Sequence, residues 1–167
     1  MRFPFPLRLP AVCAPMFLVS GPELVIAASR AGIHGAFPNN NVRTTEEYGE
    51  WLGTIRDALW DPSGQQWRHP WAANLITHST NTRLAGDLEM IARHKPPVVI
   101  TALGSPRPAI EVGHAYGGLV VADVVSVKLG RKAAEAGGDG LVCVCSGAGG
   151  HTGHLSPLAF VSALGCF

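Results

Sequence analysis

The sequence predicts a parallel α/β fold of about six strand–helix units. Short apolar runs alternate along the chain with amphipathic stretches, and no hairpin signal lies between the runs. The runs are apolar on both faces and rich in β-branched residues, as in parallel strands covered by helices. This pattern fits either an open doubly wound sheet or part of a (β/α)8 barrel. A whole barrel needs about 250 residues, so a barrel of 167 residues would be incomplete.

The strands and helices follow from hydrophobic periodicity and from glycine and proline at element ends. The six predicted strands cover residues 11–16, 33–38, 71–76, 98–101, 119–122 and 141–145. The predicted helices cover residues 22–31, 82–94, 108–116 and 127–136, with one more between strands two and three and a last one starting near residue 156. We expect residues 1–167 to form a single domain.

Two capping-box patterns predict where the first two helices begin. Ser20 and Glu23 form one pattern, and Thr44 and Glu47 form the other. The polar segment 61–69, between the second helix and the third strand, is predicted as a loop.

The composition excludes several classes of protein. Hydrophobic residues make up 47% of the chain and charged residues 15%, so it is not a disordered segment. The net charge is +1 and no basic stripe is present, which argues against nucleic-acid binding. No run of 18 apolar residues predicts a membrane span, and prolines interrupt the apolar N-terminus that a secretory signal would need. The expected location is therefore the cytoplasm.

No metal or disulfide framework is expected. The cysteines lack metal-ligand spacing and are predicted to be small buried side chains; they are Cys13, Cys143, Cys145 and Cys166. Five histidines are predicted to lie on the solvated surface, namely His34, His69, His78, His94 and His114. Four tryptophans are predicted to serve packing, with a lid over the site as the alternative; they are Trp51, Trp60, Trp67 and Trp71.

The segment after the sixth strand, Ser146 to His154, carries the most chemistry. In parallel α/β folds, ligands bind at the carboxyl ends of the strands. Glycines let the backbone approach a flat or anionic ligand, and a histidine held there can exchange a proton near neutral pH. The alternative is a glycine-rich connection with an incidental surface histidine. Asp123, at the end of strand five, is expected to cap a loop, with acceptance of a hydrogen bond in the pocket as the alternative.

Several motifs together resemble the nitronate monooxygenase family, formerly called 2-nitropropane dioxygenases. They include Ala14-Pro15-Met16, Asn74-Leu75 and above all Ala148-Gly149-Gly150-His151-Thr152-Gly153. The resemblance implies a TIM barrel with FMN as cofactor, which the chain would leave incomplete after the sixth strand–helix unit. It also implies nitronates or nitroalkanes and dioxygen as substrates.

The resemblance assigns roles to individual residues. The residues that it places against the flavin are Ala14, Pro15, Met16, Asn74, Gly149 and Gly150. Asn74 would hydrogen-bond the flavin through its side-chain amide, and the two glycines would offer backbone amides. His151 would be the catalytic base that removes the proton next to the nitro group.

Two departures from the family pattern leave the substrate open. Residues 144–147 stand where many members carry Gln-Gly-x-Glu, and Ala102 stands in a motif where many have histidine. The alternatives are a flavin-dependent enoyl reductase of the FabK type, and a non-catalytic fragment that pairs with itself or with another chain.

Overall fold

A computed structural model describes residues 6–165 of the protein. In chain order the helices and strands are β1 (Val12–Cys13), α1 (Pro22–Arg30), β2 (His34–Pro38), α2 (Thr45–Leu59), β3 (Trp60–Asp61), β4 (Gln66–Trp67), β5 (Trp71–Ile76), α3 (Leu84–His94), β6 (Val98–Ala102), α4 (Arg107–Ala115), β7 (Leu119–Val124), α5 (Val127–Glu135), β8 (Gly140–Cys143) and α6 (Pro157–Leu164). A short 3-10 turn, Asn39–Asn41, follows β2.

The main sheet is a curled half-barrel of six parallel strands. Its order is β1-β2-β5-β6-β7-β8, so each strand pairs with the next main-sheet strand along the chain. A helix lies between each main-sheet strand and the next main-sheet strand, and parallel neighbours are usually connected in this way. The prediction of an incomplete TIM-barrel-like fold with about six units is therefore confirmed.

The two faces of the sheet carry different cores. The helix-covered face holds the larger core, in which Phe37, Trp71 and Val99 pack against Leu52 and Ile55 of α2. The opposite, interior face carries a small cluster of Ala36, Ala72, Val98 and Ile100.

The two predicted capping boxes have different outcomes. Thr44 caps α2 as predicted, because its Oγ1 accepts the Glu47 amide at 3.1 Å. The prediction for Ser20 is wrong, since Gly21 is the N-cap of α1 and makes no side-chain capping bond. The Ser20 hydroxyl is instead buried within the loop that follows β1, where it bonds the backbone of that loop.

The segment 61–69, which is predicted to be a loop, contains most of a small hairpin. Strands β3 and β4 pair antiparallel, with Trp60 opposite Trp67. The two indole rings meet edge to face with centroids 5.0 Å apart, and Trp67 meets Trp71 in the same way at 5.7 Å. Cross-strand aromatic packing supplies the stability that such short strands lack on their own. Trp51 packs on Phe37, so the tryptophans serve packing as predicted.

A buried polar network ties α3 to the ends of β2 and β5. The Asp87 carboxylate is fully buried and accepts hydrogen bonds from Asn39 Nδ2 at 2.7 Å and Thr45 Oγ1 at 3.0 Å. Arg83 reaches the same carboxylate at 3.4 Å. Asn39 Oδ1 in turn accepts the amide of Ile76, the last residue of β5. The network therefore fixes the loops at the carboxyl edge of the sheet.

The histidine predictions are only partly right. His78 and His114 are exposed, whereas His69 and His94 are half-buried. His34 is buried because it begins β2, and burial lowers its pKa to about 4.

The cysteines are more exposed than predicted, and no ion-binding cluster accompanies them. Cys13, Cys143 and Cys145 are free and half-buried, while Cys166 lies outside the described residues. Within residues 6–165 no group of three His, Cys, Asp or Glu side chains could hold a metal ion. No helix in this part of the chain is long and apolar enough to cross a membrane.

Candidate functional site

The residues assigned to a flavin site all lie toward the carboxyl edge of the half-barrel. Residues 14–16 follow β1, Asn74 lies near the end of β5, and residues 148–152 follow β8. β1 and β8 are the two outermost strands of the sheet. Within residues 6–165 no hydrogen bond joins these three groups to one another. The structure thus places them at a common edge without a hydrogen bond between them.

Two polar side chains hold the loop after β1. Ser20 Oγ accepts the Met16 amide at 3.0 Å and donates to the Ala14 carbonyl at 3.2 Å. Asn41 Oδ1 accepts the Leu18 amide at 2.9 Å, while its Nδ2 donates to the carbonyls of Met16 and Ser20 at 3.0 and 2.7 Å. Because the Met16 amide already donates to Ser20, residues 14–16 can make mainly apolar contacts with a flat ring.

Leu18 carries backbone strain in this loop. Its φ is 61°, in the left-handed region that favours glycine, and its side chain is 71% exposed. We expect Leu18→Gly to raise the free energy of unfolding by about 0.5–1 kcal/mol, because relief of the strain exceeds the added entropy of the unfolded chain. Urea unfolding checks this.

The neighbouring Val19 supplies a matched control. Val19 is 65% exposed and lacks a positive φ, so Val19→Gly should lower the free energy of unfolding by about 0.5–1 kcal/mol. Equal destabilisation by both substitutions would show that Leu18 is not strained.

Asn74 lies on the interior face of β5, in register with Pro38 and Ile100. Its side chain is buried, and Nδ2 donates to the Ile100 carbonyl at 2.9 Å. The side-chain oxygen has no hydrogen-bond partner within the described chain. Asn74 therefore keeps an acceptor available, while its donor group is engaged by the neighbouring strand.

The glycine-rich loop after β8 depends on its glycines for its shape. Gly147 and Gly150 adopt φ values of 86° and 73°. Thr152 Oγ1 donates to the Cys145 carbonyl at 3.0 Å, and the Gly153 amide donates to the same carbonyl at 3.4 Å. A Cβ at Gly149 or Gly150 would meet open space, so the backbone of both is accessible to a ligand.

His151 lies in this exposed loop, close enough to Asp123 of β7 to interact with it electrostatically. Burial raises the pKa of Asp123, and the charge of His151 acts in the opposite direction. The expectation that Asp123 caps a loop is wrong, because it lies in β7 and no hydrogen bond of its side chain is seen within residues 6–165. An imidazole and a carboxyl group therefore lie within electrostatic range of each other at the carboxyl edge.

The rim of the site is strongly apolar. Large apolar side chains are exposed on the segments that follow the strands, namely Met16, Phe17, Leu18, Val19, Leu103, Val125 and Leu155. Leu103, after β6, has a φ of 59° and repeats the strained backbone of Leu18. Exposed apolar side chains that gather at one edge indicate a surface for an apolar ligand or partner.

The family is decided by a match along almost the whole chain. The model of a family described as nitronate monooxygenase matches residues 5–163. The chain belongs to the nitronate monooxygenase family. The resemblance found from the Ala-Gly-Gly-His motif and its companions is thereby confirmed.

Solved structures are similar over the same region. FabK from Thermotoga maritima has 22% identity and a TM-score of 0.80, covering 95% of this chain and 47% of that one. Nitroalkane oxidase from Streptomyces ansochromogenes has 20% identity and a TM-score of 0.79, covering 95% and 55%. The chain therefore spans about half the length of these proteins. No curated protein sequence matches it.

Three residues that shape the site were not found from the sequence. Asn41 and Ser20 hold the loop after β1, and Asp87 anchors the ends of β2 and β5. Asn41 and Asp87 contact residues 21–48 positions away in the chain. The only signal was their polarity beside predicted strand ends, which does not identify a partner.

Proposed function

We propose that this chain forms the ring-binding side of an FMN-dependent nitronate monooxygenase that oxidises alkyl nitronates or nitroalkanes with dioxygen. The observation that carries the proposal is His151, which lies on an exposed glycine-rich loop within electrostatic range of Asp123 in a member of this family. We further propose a cytoplasmic location. We also propose association with copies of itself, because within residues 6–165 the outer edges of β1 and β8 have no partner strand.

The described residues fit a flavin ring, and the first turns of α1 and α2 do not fit its phosphate. The apolar segment 14–16, the free oxygen of Asn74 and the accessible backbone at Gly149 and Gly150 can all meet a flat polar ring. The first turns of α1 and α2 carry acidic side chains, which repel a phosphate. When bound, the flavin supplies the acceptor for two electrons from the substrate and passes them to dioxygen.

His151 is the proposed base. A neutral nitroalkane has an acidic proton on the carbon next to the nitro group, and a histidine at the mouth of the site can remove it. Asp123 lies within electrostatic range of His151; burial raises the pKa of this carboxyl group and the charge of His151 opposes that effect. A nitronate has already lost that proton, so its oxidation needs His151 only for orientation.

The apolar rim supports an alkyl substrate. Phe17, Leu18 and Leu103 expose their side chains at the mouth, where an alkyl chain could be removed from water. Burial of each methylene contributes about 0.8 kcal/mol. The polar nitro group would then lie toward His151.

A second candidate is an enoyl reductase of the FabK type. The structural likeness to FabK and the departure of residues 144–147 from the usual monooxygenase pattern favour it. An apolar rim also suits an acyl chain. The third hypothesis is a chain without turnover of its own that pairs with itself or with another chain.

Oxygen uptake tests the proposal. The purified chain, supplied with excess FMN and a preformed alkyl nitronate such as butyl-1-nitronate, should consume dioxygen in proportion to protein. Oxidation of NAD(P)H that depends on an enoyl thioester would favour the second candidate instead. No turnover with either substrate, and no bound yellow cofactor, would support the hypothesis of a non-catalytic chain.

A further inference from the structure

A second cavity lies at the opposite end of the half-barrel from the candidate site. It is found where α2, α3 and α4 end and where β6 and β7 begin. Its volume is about 630 Å³, and its walls include Arg56, Trp60, Trp67, Arg93, Lys95 and Tyr116. Nothing in the proposed oxidation uses this cavity.

Positive charge predominates in the cavity. Three basic side chains, Arg56, Arg93 and Lys95, line the cavity with one acidic side chain, Asp57. Asp57 accepts two hydrogen bonds from Arg56, at 2.9 and 2.8 Å. Within residues 6–165, neither Arg93 nor Lys95 has a side-chain hydrogen bond or an ion pair. Two cationic groups therefore remain available to a ligand.

His94 responds to this charge. Its Nδ1 lies 3.5 Å from Arg56 Nη1. Burial lowers the pKa of His94, and the charges of Arg56 and Arg93 lower it further, against the weaker opposing effect of Asp57. The excess of positive charge around the cavity is thus felt by an independent group in its wall.

The other walls of the cavity are aromatic. Trp60 and Trp67 are half-buried and meet edge to face, so each leaves part of its ring accessible. Tyr116 is held by its hydroxyl, which donates to the Pro96 carbonyl at 3.0 Å. A Cβ at Gly118 would collide with the Tyr116 ring, so glycine is needed there to keep this wall in place.

Basic side chains often end helices because they complement the helix dipole. The helix dipole explains why Arg93 and Lys95 lie at the end of α3. It does not engage their N–H groups, because neither side chain bonds a helix carbonyl within the described chain. Lys95 also has a φ of 52°, where glycine is the favourable residue. The chain has a lysine at this position although a lysine is more strained than a glycine in this backbone conformation.

We propose that this cavity is a binding site for a small aromatic anion of the nucleotide class. The phosphate lies between Arg93 and Lys95, and the flat ring packs against the exposed part of Trp60. Charge-assisted hydrogen bonds recognise the phosphate, and aromatic contact recognises the base. The site is distinct from the carboxyl edge, so its occupancy does not depend on the proposed oxidation.

Isothermal titration of the 167-residue chain with AMP tests the proposal. AMP should bind with a Kd below about 1 mM, while adenosine and inorganic phosphate should each bind at least about tenfold more weakly, because each lacks one half of the recognised ligand. Arg93→Gln combined with Lys95→Gln should weaken AMP binding by about tenfold or more. Trp60→Leu should weaken AMP binding and leave phosphate binding unchanged.

Arg43→Gln combined with Lys128→Gln provides a control that removes the same charge from exposed positions elsewhere. This variant should bind AMP like the wild type. Absence of AMP binding at millimolar concentration would overturn the proposal. So would an equal loss in the two double variants, which would indicate attraction by net charge alone.

Discussion

Replacement of His151 by alanine is expected to lower turnover on neutral nitroalkanes by about a hundredfold or more. The imidazole is the one proton acceptor on the exposed glycine-rich loop that also lies near a carboxyl group, Asp123. Turnover on the matching preformed nitronate should fall much less, because its proton is already gone. Oxygen uptake by the same protein preparation with both substrates measures the two effects.

His154 provides the matched control, because it is an exposed histidine in the same loop, three residues further on. His154→Ala should leave the ratio of nitroalkane to nitronate turnover unchanged. An equal loss on both substrates in His151→Ala would contradict the base role and leave His151 a part in binding only. A larger loss in His154→Ala would move the base to that residue.

Replacement of Asp87 by alanine is expected to lower the free energy of unfolding by about 3 kcal/mol. The carboxylate is fully buried and accepts hydrogen bonds from Asn39 and Thr45, with Arg83 beside it. Its removal leaves buried donors without their acceptor and weakens the charge compensation of Arg83. Arg83 retains its hydrogen bonds to the carbonyls of Asn39 and Val42. The loss of stability should therefore lie at the lower end of the range that is typical of a broken buried ion pair.

Glu89 is a suitable control for this substitution, because it is an exposed acid on the same helix. Glu89→Ala should change the free energy of unfolding by less than about 0.5 kcal/mol. Urea unfolding compares the two variants. A loss below about 1 kcal/mol in Asp87→Ala would show that the network does not stabilise the carboxyl edge.

The main sheet could be predicted because each strand is apolar on both faces and ends at glycine, proline or a polar residue. The predicted range 71–76 coincides with β5, and the range 33–38 differs from β2 by one residue. The hairpin was missed because β3 and β4 are two residues long, too short for a periodic pattern. Their stability comes from contact between Trp60 and Trp67, a tertiary feature that the local sequence does not specify.

The candidate site was predictable only as far as the edge of the sheet. The rule that ligands lie at strand carboxyl ends placed Asn74 and residues 148–152 together. Ser20 matched a capping pattern, yet its hydroxyl bonds Ala14 and Met16, because the loop before it turns back on itself. His34 was predicted to lie on the surface although it lies inside a predicted strand. Its position in that strand correctly indicates that it is buried.

Hydrogen–deuterium exchange with and without riboflavin tests the central claim that a flavin ring binds at the carboxyl edge. Riboflavin provides the ring without the phosphate, so it lacks the group that Arg93 and Lys95 are proposed to bind. The account predicts slower exchange in the loop after β1, residues 14–20, and in the glycine-rich loop, residues 146–153. Protection confined to residues 56–67 and 93–97, or no protection at saturating riboflavin, would contradict it.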